Sequence, residues 1–159
     1  MKTLFKLLFA TATLAIAPLH LSAQLLAKNA ISLELAKKIA ARAESEAAKN
    51  KWTMVIVVLD DGGNLIYLER MDGTQLGSIE VAQEKAKTAL KFKRPTKAFE
   101  DVVAGGRTAI LSLPGVVAIE GGLPLAVDGV IVGAIGVSGM KSSEDGVVAQ
   151  AGATALTQP

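Results

Sequence analysis

The chain has 159 residues, 17 Lys+Arg against 15 Asp+Glu, 50% hydrophobic residues, 4% aromatics, one His and no Cys. That length predicts one small globular domain. The missing Cys excludes disulfides, thiolate zinc sites, iron-sulfur clusters and cysteine nucleophiles, and His20 is the only residue on which a His-based metal site or a Ser/His/Asp triad could be built.

Lys2 and Lys6 open the chain, an apolar run follows from Leu7 to Ala17, and Pro18 and the small pair Ser22-Ala23 close the segment. This is the layout of a secretory signal peptide over residues 1–23, with cleavage after Ala23. The apolar run is well short of the roughly 20 residues that span a bilayer, and no Cys follows to carry a lipid. A periplasmic or secreted domain of residues 24–159, without a stable membrane anchor, is the expectation. Cleavage also removes Lys2, Lys6 and His20, leaving 15 basic and 15 acidic side chains. Nucleic acid is a poor partner for a chain so close to neutral.

Along the remaining chain, Ser32 is placed to cap a helix reaching about Asn50, with Leu35, Ile39, Ala43 and Ala47 at helical spacing. Thr53 to Leu59 is a β-branched run, the Asp60–Asn64 segment supplies a turn, and LIYLERM follows, so these strands read as a hairpin. Ser78 to Phe92 is again helical, and Arg94-Pro95-Thr96 breaks it. Thr96 is placed to cap a short helix that Gly105-Gly106 ends. Three strands are expected next: VVAIEGG, LPLAV and, after a turn at Asp128-Gly129, VIVGAIGVSG. Ser142 to Asp145 then offers a cap and an acidic first turn for a last helix. Strands arriving as hairpins predict an α+β fold: a single domain with a mainly antiparallel five-stranded sheet and helices packed on it, of the PAS or profilin kind.

Few residues stand out as chemistry. Gly133, Gly136 and Gly139 lie three apart within one strand rather than between a strand and a helix, so close backbone packing fits them better than a dinucleotide fingerprint. Lys85, Lys87, Lys91, Lys93, Arg94 and Lys97 form a basic run, read first as a solvated helix face and second as an attractor of an anionic small ligand. The pairs Asp60-Asp61 and Glu144-Asp145 are explained by a turn and a helix start. Tyr67 reads as a core residue and is also the only phenol of the chain; Met54, Met71 and Met140 read as core or rim residues.

The run KAKTALKFKRPT (Lys85 to Thr96), the LPG at Leu113, the stretch GGLPLAVDGVIVGAIGVSG (Gly121 to Gly139) and the closing Asp145-x-x-x-Ala149-Gln150-Ala151-Gly152 resemble the GlcG/HbpS-like family, also described as a haem-binding or haem-degrading domain. The resemblance implies an α/β domain with an antiparallel sheet, homo-oligomers, and haem or a related tetrapyrrole as small-molecule ligand. It also implies Gly121, Gly122 and Pro124 as cofactor-binding positions, beside Arg94, Arg107, Thr96, Thr108 and Tyr67. Because a chain cut after Ala23 has neither His nor Cys, iron would have to be held by Tyr67, a Met, a weak oxygen donor such as Thr96 or Thr108, or no protein ligand at all. Such a site is weak, with burial of the macrocycle supplying most of the binding and Arg94, Arg107 or a Lys of the basic run meeting the propionates. Two alternatives stay open: an enzyme acting on a small carboxylate or aromatic metabolite, using Arg94 for binding and Asp145 or Glu120 for proton transfer, and a non-catalytic oligomeric interaction module.

Overall fold

The computed structural model describes residues 28–157; the expected signal peptide lies outside the described residues. Helix α1, Leu33–Lys49, starts where expected, with the Leu35 N–H donating to the Ser32 hydroxyl at 3.2 Å. Strands β1 (Val55–Asp60) and β2 (Leu65–Arg70) pair antiparallel as the expected hairpin. Its turn is tied by Asp60, whose Oδ1 accepts the N–H groups of Gly62 and Asn64 at 2.9 and 2.8 Å, while Gly63 adopts φ +82°. Bonding to Asn64 holds the Asp60 carboxyl below the usual aspartate range, which supports the turn reading of this residue.

Helix α2, Ser78–Phe92, ends in Lys93 at a left-handed φ of 55°. Helix α3, Lys97–Ala104, a 3-10 turn at Thr108–Ser112, strands β3 (Gly122–Val127) and β4 (Val130–Ser138), and helix α4, Ser142–Ala153, complete the order. The sheet is wholly antiparallel, in the order β2-β1-β4-β3.

Among the described residues there are four strands and not five. Of the stretch expected as a third strand, Val116 to Gly122, Gly122 alone belongs to a strand, as the first residue of β3; helix side chains take the N–H groups of Val117 and Glu120, and the Gly121 carbonyl accepts the Val137 N–H at 2.8 Å. The Thr88 hydroxyl donates to the Gly115 carbonyl at 3.1 Å and accepts from the Val117 N–H at 3.0 Å, and the Glu120 N–H donates to the Glu100 carboxylate. Two expected caps also differ. The Thr96 side chain does not cap α3. Ser142 is the first residue of α4 and donates to Glu100, while Glu144 accepts from the Lys141 N–H at 3.1 Å to close the helix start.

Strand β1 explains the layering. Its apolar run is buried on both faces, as alternation along a central strand requires when helices cover both sides. Ile56 and Val58 join a core with Ile39 and Ala43 of α1 and Val148 of α4, whereas Val55, Val57 and Leu59 pack on Ala82 and Ala86 of α2. The sheet therefore lies between α1 with α4 and α2. Glycine lets α2 come close: a side chain on Gly136 would overlap the Ala82 carbonyl and lie 2.8 Å from the Ala86 nitrogen. Close packing is thus the structural role of the central glycine of the triplet.

Candidate functional site

One charged pair is fully buried. Lys85 points from the middle of α2 to the C-terminal end of β4, where its ammonium donates to Asp145 Oδ2 at 2.7 Å and to the Val137 carbonyl at 3.1 Å. Both side chains are almost completely enclosed, at 1% and 3% exposure. Asp145 Oδ1 accepts the Met140 N–H at 3.1 Å. Burial pushes the Asp145 carboxyl up, and Lys85 and the backbone donors pull it back. Lys85 is therefore no part of a solvated face, and Asp145 is more than a helix-start residue. A signal for Lys85 was present in the sequence: it falls inside the apolar stripe Ala82, Ala86, Ala89, three residues after the first and four before the last.

The pair lies directly under Gly121, which adopts φ +125°; a side chain there would sit 2.9 Å from the Lys85 ammonium and 2.9 Å from Asp145 Cβ. Next to it, the Gly122 N–H donates to the fully buried Thr96 hydroxyl at 2.9 Å, and the Thr96 N–H donates back to the Gly122 carbonyl at 2.9 Å. Of the residues expected to contact a cofactor, Thr96, Gly121 and Gly122 are thus brought together, with Pro124 following on edge strand β3. Their mutual bonds clamp α3 to the sheet, and the Thr96 oxygen is engaged in that clamp.

The other expected site residues lie apart. Arg94 is exposed, donates to the Phe92 carbonyl at 3.3 Å, and holds its guanidinium 5.6 Å from the Phe99 ring centre. Arg107 and Thr108 are exposed beyond the far end of α3. Tyr67 is on β2, the opposite edge strand from β3, and donates to Glu69 at 3.0 Å. That bond, burial and the neighbouring acids Glu69 and Glu44 raise its phenol above the usual tyrosine range.

Two hollows accompany these features. A small one of about 380 Å³ lies over the Gly121-Gly122 clamp, between Pro95, Leu123 and Val147, with Lys97, Glu120 and Gln150 as its polar groups. The larger, about 720 Å³, opens at the C-terminal end of α2, where Lys91 and Lys93 meet Lys28, Asp61 and an apolar wall of Leu90, Val130 and Ile131. Lys91 and Lys93 of the basic run thus face a ligand-sized space. Among the described residues no helix is long and apolar enough to cross a membrane, and no cluster of three or more His, Cys, Asp or Glu side chains could hold a metal ion.

The four-stranded antiparallel sheet with helices on both faces makes this a small α+β domain by class. The comparisons make it more particular. A family model described as "Haem degrading protein HbpS-like" matches residues 31–154. Protein GlcG of Escherichia coli (strain K12) is 45% identical over 111 residues, covering 70% of this chain and 83% of GlcG. The crystal structure of a double Glu→Asp variant of Streptomyces reticuli HbpS is similar at a TM-score of 0.78 and 31% identity, covering 94% of this chain and 99% of the other. A structure of PduOC in complex with haem is similar at a TM-score of 0.73 and 29% identity, covering 80% and 96%. This chain belongs to the HbpS-like family.

Proposed function

We propose that the protein is an exported small-ligand-binding protein that takes haem or a related tetrapyrrole weakly, as a binder or carrier, in the larger hollow. The observation that carries this reading is the pairing, in one space of about 720 Å³, of two cations from the basic run with an apolar wall. That volume lies within the ordinary range of ligand pockets, about 300–1,000 Å³. A tetrapyrrole presents the matching chemistry: an apolar ring with carboxylates on one side. Lys91 and Lys93 would pair with the carboxylates, and Leu90, Val130 and Ile131 would bury ring surface. When bound, haem supplies an iron centre.

The donor set limits the strength of such a site. Tyr67 is engaged with Glu69 on the far edge of the sheet, and Thr96 is engaged with Gly122. Ring burial and surface charge pairing remain, and exposed ion pairs contribute only about 0.2–1 kcal/mol each. A PduOC relative crystallised with haem lends support from outside the chain. Export after cleavage at Ala23 and assembly into homo-oligomers belong to the same proposal, and both are read directly by the N-terminal sequence and light-scattering mass of the secreted product.

Haemin titration followed at the Soret band tests the reading. Lys91→Glu with Lys93→Glu should weaken binding by about thirtyfold, two exposed charge pairs at the upper end of their range. Arg94→Glu, whose guanidinium lies over Phe99 rather than in the hollow, is the comparison and should change little. Binding and spectrum left intact by the double variant would overturn the placement, and a wild-type protein with no saturable Soret change would overturn the reading.

A further inference from the structure

We propose that the smaller hollow, between β3 and the first turns of α4, is a separate site for a small amine, its protonated nitrogen held by Glu120 and its apolar body against Pro95, Leu123 and Val147. The proposal is independent of the tetrapyrrole reading, which concerns the other hollow.

Glu120 carries it. Its backbone N–H is bound by Glu100, whose second oxygen accepts from Ser142, so the residue's position is fixed from both α3 and α4. The Glu120 side chain lines the hollow, and among the described residues no hydrogen bond or ion pair reaches its oxygens. The charged groups around it are Lys97, Glu100 and Asp101 from α3, Lys85 from α2 and Asp145 from α4. Both ammonium groups are already committed, Lys85 to Asp145 and Lys97 to Asp101. Carboxylates outnumber cations here, so the hollow favours a positive guest and disfavours an anion.

A second observation comes from α4. Gly146 lies within the helix, where glycine is unfavourable relative to alanine. A side chain there would overlap Glu120 Oε1 and come within 2.7 Å of the next two carbons of that side chain. The helix thus carries a glycine where the carboxyl needs room. Burial pushes the Glu120 carboxyl up, helped by Glu100 and Asp101 and opposed by Lys97 and Lys85. An ammonium guest would relieve that strain by neutralising the charge in place. The volume, about 380 Å³, suits a compound of about one ring.

Benzylamine, benzyl alcohol and benzoate are suitable probes, followed by amide shifts in two-dimensional NMR of the whole domain. Benzylamine should give saturable shifts at Gly121, Gly122 and Gly146, with the alcohol weaker and benzoate without effect. Glu120→Gln, which keeps the shape and removes the charge, should weaken benzylamine by about tenfold or more. Val147→Lys, at an exposed helix position, places an ammonium beside Glu120 and should abolish binding while the spectrum stays dispersed. The proposal is overturned if benzylamine gives no saturable shift at these glycines. It is equally overturned if benzoate binds as well, or if either folded variant binds benzylamine as the wild type does.

Discussion

Replacing Lys85 by Met is the most informative single change to the frame. Methionine fills similar space but leaves Asp145 buried without its ammonium partner. Removing one member of a buried pair costs about 3–5 kcal/mol, against a total stability of about 5–15 kcal/mol for a domain of this kind. Urea unfolding followed by circular dichroism and by Trp52, the only tryptophan and one packed against the larger core, reads the loss. The double variant Lys85→Met/Asp145→Asn should recover more than half of it, since the amide oxygen can still accept the Met140 N–H and no charge remains buried. The pH dependence carries a sign. Burial already raises the Asp145 carboxyl, and without Lys85 it rises further. A carboxyl with a raised folded value takes up its proton in the folded state first. The deficit of Lys85→Met should therefore be largest near neutral pH, shrink as pH falls through the folded value, and be fully relieved below the unfolded value of about 3.9. A single variant that loses under about 1 kcal/mol, or a double variant no better than the single, would refute the view that the pair is held by mutual compensation.

Two further outcomes follow from packing and from the edge strand. Gly136→Ala forces the α2 backbone off β4 and should lower stability by about 3 kcal/mol or more, read as a loss of soluble protein or of urea midpoint. Glu69→Gln should bring the ionisation of Tyr67 down toward about 10, where tyrosinate absorbance of this single-tyrosine chain reports it without overlap; the stabilisation from the raised phenol is present below that pH and lost as pH rises through the folded value, so an unchanged titration would deny the Glu69 bond its role.

Where local chemistry decides, the chain could be read directly. Ser32 before α1, the Asp60–Asn64 turn and the Asp128-Gly129 turn each rest on a side chain or a positive φ within a few residues, and all three appear. Val116 to Gly121 could not be read that way. Its β-branched composition suits a strand, yet the N–H groups of Val117 and Glu120 go to the side chains of Thr88 and Glu100, reached only after the chain has folded. Thr96 has the same history: its sequence position suits a cap, and its hydroxyl goes instead to a strand 26 residues later. For the candidate site, Thr96, Gly121 and Gly122 lie together through long-range bonds that their sequence positions do not announce, and the separation of Tyr67 from them depends on strand order. The burial of Lys85 was inferable from its place in an apolar stripe but ran against the habit of lysine.

The backbone-to-backbone seat of α2 on β4 has a consequence for how such a domain can be altered. At Gly122 and Gly136 the strands lack the cushion of side chains, so there is no spare volume through which a larger residue could be absorbed by small adjustments. The frame is intolerant there, and its tolerance is displaced outward. Lys91, Lys93 and Val130 around one hollow, and Val147 and Gln150 around the other, project from that frame without holding it together. Substitutions at those positions should therefore reshape either hollow separately while the shared scaffold stays as it is.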